Sequence, residues 1–127
     1  MTYLLDTDVI ISHLNNKTPI SLTFTSPPAM SVITYAETLY GIQKSKFHER
    51  KNQFMELIKH MSIAILPIDE NIMTQYISIK LTLEGKGVKL QDFDLLIAAT
   101  ALTHNLTLVT GNRKHFSRIK SLKLYNS

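Results

Sequence analysis

The feature that most constrains the fold is the repeated passage from a short apolar run into a helical pattern. Tyr3-Leu4-Leu5 is followed by apolar residues at helical spacing, and Ala29 to Ile33 passes into a second such stretch, Thr34 to Gln43. Short apolar runs form buried strands, whereas recurrence every three to four residues indicates a helix. Strands that alternate with helices predict a mostly parallel sheet with helices on both faces, so we expect an α/β fold.

The alternation continues to the end of the chain, and its length of 127 residues fits one compact domain over residues 1–127. Asp69 is the expected N-cap of one of the later helices. The further predicted elements are helices over Glu49 to Met61, Asp69 to Leu83 and Phe93 to Leu102, and strands over Ile63 to Leu66, Thr107 to Thr110 and, at the sheet edge, Leu122 to Tyr125.

Composition narrows the function classes. The chain has no cysteine, which excludes disulfide scaffolds, thiol nucleophiles and cysteine-based zinc sites. A formal charge of +4 favours polyanionic partners. No secretory leader is recognisable, and no apolar stretch approaches the roughly 20 residues that a membrane-spanning helix needs. We therefore expect a cytoplasmic protein with no membrane partner.

Carboxylates stand at three predicted junctions that lead into helices. Asp6 and Asp8 follow the first strand, Glu37 follows the second, and Asp92 and Asp94 precede the buried helix. Each has an ordinary local interpretation: Asp6, Asp8 or Asp92 can cap a helix. Thr34 and Glu37 match a capping box, in which the Glu lies in the first helical turn and bonds back to the cap residue.

The coincidence of the junctions favours chemistry over capping. In open α/β sheets, ligands bind beyond the carboxyl ends of the strands, where Asp6, Glu37 and Asp94 are expected to converge. Carboxylates brought together repel one another unless a cation neutralises them. Hard oxygen ligands suit Mg²⁺ or Mn²⁺, which share their coordination with water and substrate phosphate. The sequence thus predicts a divalent-metal site for a phosphate substrate.

Neutral and basic residues flank the predicted site. Thr110 and Asn112 follow the strand after the buried helix and could position water without adding charge. None of the histidines has ligand-like spacing, and His115 is an outside candidate for contact with RNA. The basic residues near the site, which would attract the phosphate backbone of a polyanionic partner and make its binding sensitive to salt, are Lys86, Lys89, Arg113, Lys114 and Arg118.

Four motifs resemble those of the PIN-domain ribonucleases, specifically the VapC-type toxins of type II toxin–antitoxin modules. They are Leu5-Asp6-Thr7-Asp8-Val9-Ile10-Ile11, Thr34-Tyr35-Ala36-Glu37-Thr38-Leu39-Tyr40-Gly41, Asp94-Leu95-Leu96-Ile97-Ala98-Ala99-Thr100-Ala101 and Leu108-Val109-Thr110-Gly111-Asn112-Arg113-Lys114-His115-Phe116. The order and spacing of the motifs run across almost the whole chain.

The resemblance implies a PIN fold and a metal-dependent endoribonuclease, acting on transfer or ribosomal RNA. Asp6, Glu37 and Asp94 match the family's metal-holding acidic residues, and Asn112 falls where many relatives have a fourth. That substitution makes one firmly held metal more expected than two. The residues expected in supporting roles are Thr7, Asp8, Thr110 and Asn112.

The resemblance also implies partners. A VapB-type antitoxin would wrap the chain and block its site, within a toxin–antitoxin hetero-oligomer. Homodimerisation is usual in the family, and the candidate contacts, which could equally be core residues, are Leu39, Tyr40, Phe47 and Phe54.

Two other interpretations stay open. Asp6-Thr7-Asp8-Val9 also resembles the nucleophile motif of haloacid-dehalogenase-like phosphatases, although the later Lys and acidic pair of those enzymes are missing. A degenerate domain that binds RNA or a protein without cleaving would have lost one or more carboxylates, and all three are present here.

Overall fold

The computed structural model describes residues 1–126 and contains a four-stranded parallel sheet with helices on both faces. This confirms the α/β class and the parallel sheet. In chain order the elements are β1 (Tyr3–Leu5), α1 (Thr7–Leu14), β2 (Ala29–Ser31), α2 (Val32–Lys44), α3 (Glu49–Met61), β3 (Ala64–Leu66), α4 (Glu70–Gly85), α5 (Asp92–Thr103), β4 (Thr107–Val109) and α6 (Arg113–Phe116).

The strands lie in the order β3-β2-β1-β4, so β1 is flanked by β2 and by the strand that is last in the chain. Leu4 pairs with Ala29 on one side and with Leu108 on the other. Because all strands run in the same direction, their carboxyl ends open on one edge of the sheet. Asp6 and Thr110, the residues that follow β1 and β4, meet at that edge.

The two faces of the sheet are buried in separate cores. Alternate strand residues point to opposite faces. Leu4 and Leu108 belong to the core formed with α4 and α5, whereas Leu5 and Val109 belong to the core formed with α1 and α3. The α5 helix buries most of its surface, as its nearly continuous apolar sequence predicts.

The main differences from the predictions concern the start of α2, the edge strand and α6. The second helix begins at Val32 because the side chain of Ser31 caps it by accepting a hydrogen bond from the backbone N–H of Ile33 at 3.0 Å. The predicted edge strand at Leu122 to Tyr125 is reduced to one parallel bridge, between Leu108 and Leu124, because only one residue of β4 pairs with this segment. The short α6 was not predicted. None of the helices formed by residues 1–126 combines the length and apolar character needed to span a bilayer.

Candidate active site

Asp6 lies at the centre of the candidate site, between the end of β1 and the start of α1. Its side chain is only 5% exposed. One carboxylate oxygen, Oδ1, accepts a hydrogen bond from the backbone N–H of Thr7 at 2.8 Å, and Oδ2 accepts one from Oγ1 of Thr110 at 2.7 Å. Asp6 is thus a helix cap, as its local sequence suggested, and is also tied to the neighbouring strand end.

The buried Asp6 carboxylate has no cationic side chain as a partner in the part of the chain that the structure describes. Burial raises the pKa of its carboxyl from 3.8 to about 7, and the negative charges of Asp8 and Asp94 add to the increase, against the hydrogen bonds from Thr110 and Thr7. Among residues 1–126, Asp6 forms no ion pair with a Lys, Arg or His side chain. We call Asp6, Asp8 and Asp94 the carboxylate cluster.

Asp8 is fixed by the loop after β4. Its Oδ2 atom accepts a hydrogen bond from the backbone N–H of Gly111 at 3.0 Å. A Cβ atom at position 111 would lie 2.8 Å from the same oxygen, so a side chain there would displace the carboxylate. Asp8 thus links the start of α1 to the Thr110–Asn112 loop.

Thr7, the residue after Asp6, connects Glu37 to the site by a hydrogen bond. Oγ1 of Thr7 donates a hydrogen bond to Oε1 of Glu37 at 2.7 Å and lies 3.1 Å from Oγ1 of Thr34. The predicted capping box is wrong, because α2 is capped by Ser31 and both Thr34 and Glu37 lie inside the helix. Glu37 is therefore free of a capping role. It lines a cavity of about 510 Å³ together with two exposed aromatic rings, those of Tyr40 and Phe93.

Asp94 contacts a residue that the sequence did not identify as part of the site. Nε2 of His115 lies 3.0 Å from Oδ2 of Asp94. Both side chains are partly exposed, at 27% for His115 and 33% for Asp94. The sequence signal was weak, since His115 was set apart only by its basic neighbours Arg113 and Lys114 and by its place after the β4 loop.

The prediction that Asp92 caps α5 is wrong, and Asp92 does not belong to the carboxylate cluster. The α5 helix is capped at Gln91 without a side-chain bond. Oδ1 of Asp92 accepts hydrogen bonds from the hydroxyl of Tyr76 at 2.6 Å and from Nζ of Lys80 at 2.9 Å. These bonds lower the pKa of the Asp92 carboxyl below its ordinary 3.8. We call this group of Tyr76, Lys80 and Asp92 the Asp92 clasp.

The remaining predicted residues lie around this edge of the sheet. Oγ1 of Thr110 also accepts a hydrogen bond from the backbone N–H of Asn112 at 3.0 Å, while the Asn112 residue is exposed. The cavity shared by Lys86 and Arg118 is separate from the one that Lys89 lines. All five predicted RNA-binding residues are exposed: Lys86, Lys89, Arg113, Lys114 and Arg118.

The carboxylate oxygens of the site are suited to an open metal centre. Within residues 1–126, no three His, Asp or Glu side chains converge closely enough to form a metal site from protein ligands alone. The cluster nevertheless offers hard oxygen donors and a buried, uncompensated negative charge at Asp6. Mg²⁺ commonly binds through one or two carboxylates and completes its shell with water and substrate phosphate. The residues fit an ion held in this open manner.

Comparisons with known proteins agree with the fold and the motifs. The family model described as PIN domain matches residues 3–122. The chain is 36% identical to Ribonuclease VapC1 of Methanocaldococcus jannaschii, covering 97% of this chain and 86% of that protein. It is 35% identical to Ribonuclease VapC2 of Rickettsia felis, covering 99% and 98%.

Solved structures give the same result. The chain matches the VapBC2 complex of Rickettsia felis bound to a promoter DNA fragment with a TM-score of 0.90 and 30% identity, covering 100% of this chain and 99% of the matched one. It matches VapBC-1 of nontypeable Haemophilus influenzae with a TM-score of 0.85 and 32% identity, covering 99% and 98%.

Proposed function

Because the chain belongs to the PIN-domain family, among the VapC ribonucleases, we propose that it is a metal-dependent endoribonuclease toxin neutralised by a VapB-type antitoxin. It acts as a single PIN domain over residues 1–127, in the cytoplasm, and hydrolyses phosphodiester bonds of transfer or ribosomal RNA. Three of the solved structures that the chain matches are VapBC complexes, and two of these three are bound to DNA, which supports an antitoxin partner and a toxin–antitoxin hetero-oligomer.

One observation carries the catalytic proposal: the buried Asp6 carboxylate has a raised pKa and no cation partner within residues 1–126. A structural carboxylate in such a position would ordinarily be paired, because an uncompensated buried charge is costly. Asp6 instead lies beside two further carboxylates at the edge of the sheet where ligands of parallel α/β folds bind. The arrangement suits a centre that is completed by a divalent cation.

Asp6 and Asp94, with Glu37 beside them, would hold Mg²⁺ or Mn²⁺. When bound, the ion supplies Lewis-acid activation of water and stabilises charge on the phosphate. Thr110 orients Asp6 through a 2.7 Å hydrogen bond, and Thr7 orients Glu37 through another of the same length. We assign to Glu37, which lies inside α2 and not at its cap, the role of accepting a proton from the attacking water.

The cavity beside Glu37 is where we place a nucleotide next to the cleaved bond. Its exposed Tyr40 and Phe93 rings can contact a base, since aromatic side chains stack on all four bases.

Of the residues considered for a homodimer contact, Phe54 is fully buried and Leu39 packs on the same core. Tyr40 and Phe47 are exposed and remain the candidates for partner contacts.

The test is cleavage of mixed RNA by the purified chain in Mg²⁺ or Mn²⁺, with and without a chelator. We expect cleavage only with metal, and we expect Asp6→Asn to abolish it. Calorimetric titration with Mn²⁺ should show binding to the wild-type chain and at least about a tenfold weaker affinity in the variant. Cleavage that persists in chelator, or that survives the substitution, would contradict the proposal.

A further inference from the structure

A basic groove runs along the outer side of the second half of α4. It is a cavity of about 240 Å³ between that helix and the turn that follows α6. Of the described residues, three cationic side chains and no acidic side chain line it. We define the basic groove by its polar lining residues, which include Gln75, Ser78, Thr82, Lys86, Arg118 and Lys120.

The neighbouring cavity shows that this charge is not a general property of the helix. A cavity of about 700 Å³ shares Leu83 with the basic groove and lies on the other side of the last turns of α4. Its two lysines, Lys80 and Lys89, are balanced by Glu84 and Asp92. Of these two neighbouring cavities, only the basic groove has cationic side chains in its lining without a carboxylate beside them.

The basic groove is adjacent to the candidate active site. His115, which lies 3.0 Å from Asp94, is three residues before Arg118. Three Cα steps span at most about 11 Å. Along α4, Gln75 and Lys86 are eleven residues apart, which corresponds to roughly 16 Å of helix. The basic groove is therefore elongated along α4, and the Cα atom of Arg118, one of its lining residues, lies within about 11 Å of that of His115.

We propose that the basic groove binds the phosphate backbone of the RNA strand flanking the cleaved bond, with Lys86, Arg118 and Lys120 contacting phosphate oxygens. The proposal rests on the proposed ribonuclease function and deepens it by giving the substrate a path. It adds Lys120 to the residues expected from the sequence and removes Lys89, whose cavity is charge-balanced.

The chemistry of the lining favours RNA over an acidic protein segment. Phosphate contacts are typically made by Arg and Lys together with neutral donors such as Ser, Thr and Gln, and such contacts position a strand without reading its bases. The basic groove offers this combination in Gln75, Ser78 and Thr82 beside the cations. An extended strand whose cleaved bond lies at Asp94 would reach Arg118 with its next phosphates.

The experiment compares two double variants of equal charge. Arg118→Gln with Lys120→Gln removes two cations from the basic groove, and Lys51→Gln with Lys59→Gln removes two exposed cations from α3, on the opposite face of the sheet. Binding of a fluorescently labelled single-stranded RNA is measured by anisotropy in chelator over a salt series. Lys86→Gln tests the α4 side independently, and thermal melts confirm that each variant is folded.

We expect the groove variant to bind RNA about tenfold more weakly at physiological salt and to lower the slope of log affinity against log salt by about 1.4, as for two lost phosphate contacts on a single strand. The α3 variant should leave the slope unchanged. Equal losses in both variants, or an unchanged slope in the groove variant, would overturn the proposal. So would a groove variant that binds RNA normally but loses its antitoxin, since the occupant would then be protein.

RNA cleavage assays with the same proteins distinguish failure of the groove proposal from failure of the proposed ribonuclease function. Wild-type protein that cleaves RNA with Mg²⁺, together with a groove variant of unchanged RNA affinity, refutes the groove alone. Wild-type protein that neither binds nor cleaves RNA refutes the proposed function itself.

Discussion

The carboxylate cluster and the Asp92 clasp both include residues from the first turn of α5, yet their charges have opposite surroundings. Asp92 accepts hydrogen bonds from Lys80 and Tyr76, which lower the pKa of its carboxyl. Asp6 is buried next to two other carboxylates, and burial raises its pKa to about 7. A carboxylate is thus paired with a neighbouring lysine in one region and, as far as residues 1–126 are concerned, has no cationic partner in the other.

The difference separates structural from functional carboxylates. In the Asp92 clasp the charge is satisfied at the surface, where an ion pair contributes little to stability. In the carboxylate cluster the charge opposes folding and attracts a cation from solution. Substitutions in the carboxylate cluster are therefore expected to have large effects on RNA cleavage. Substitutions in the Asp92 clasp should have small effects on both cleavage and stability.

The largest effect is expected from Asp94→Asn, with Asp92→Asn as the matched control two residues away in the same helix. Loss of Asp94 removes a proposed metal ligand and should lower RNA cleavage by more than about 100-fold, above the range typical of outer residues of metal sites. Asp92→Asn should stay within about threefold, because its partners are Tyr76 and Lys80 rather than the cluster. Equal losses in the two variants would remove the distinction between the regions.

The next effect is expected from Thr110→Val, which deletes the hydrogen bond to Asp6 and the one received from Asn112. Mn²⁺ affinity measured by calorimetry should fall by about 10- to 100-fold, as for other residues that orient metal ligands. Thr103→Val is the control, since the buried hydroxyl of Thr103 has no hydrogen-bond partner among residues 1–126. A Thr110→Val protein with wild-type Mn²⁺ affinity would mean that Asp6 needs no orientation.

The pH dependence of stability gives a third, smaller effect. The pKa of Asp6 rises from 3.8 to about 7 on folding, so folding takes up a proton between these values. In chelator, stability should be highest below pH 3.8 as far as Asp6 is concerned, and should be lost as pH rises through about 7. The slope approaches about 1.4 kcal/mol per pH unit. Urea unfolding at several pH values measures it.

Asp6→Asn is the reference for that measurement, because it keeps the shape of the side chain and has no titrating proton. The variant should lack this part of the pH dependence, and in the wild-type chain Mg²⁺ should stabilise more at pH 8 than at pH 5. Parallel pH profiles for the wild type and Asp6→Asn would contradict the uncompensated charge.

The smallest effect is expected at the clasp. Lys80→Gln should lower the melting temperature only slightly at pH 7, because both partners are accessible to water. The lowered pKa of Asp92 means that its contribution is present above pH 3.8 and is lost as pH falls through the folded-state value. Differential scanning calorimetry at pH 7 and at acidic pH measures it. A large loss of cleavage would show that the clasp supports the site after all.

Sequence patterns predicted the fold well because local and global signals agree. Neighbouring residues Leu4 and Leu5 serve opposite faces of the sheet, as short buried strands require, and Asp6 follows them at the edge where ligands bind. Glu37 contacts Thr7 near that edge. The start of its helix was predicted too late in the chain, at Thr34, because both Ser31 and Thr34 can cap a helix and only tertiary packing decides between them.

The side-chain partners in the site were less predictable. Asp92 and Asp94 are two positions apart on a helix and therefore point in directions roughly 200° apart. Which of them faces the cluster depends on how α5 packs against α4. His115 was missed because it reaches Asp94 from a short helix across 21 positions of sequence, and no local pattern encodes that contact.

The pairing of β1 with β4 also governs when the enzyme becomes complete during synthesis. The hydrogen bond between Asp6 and Thr110 joins residues 104 positions apart. Protein chains emerge from the ribosome with their N-terminal part first. Asp6 and Glu37 are therefore synthesised well before Thr110, Gly111 and His115, the residues that hydrogen-bond to the carboxylate cluster. The candidate site is therefore not complete until synthesis has passed His115.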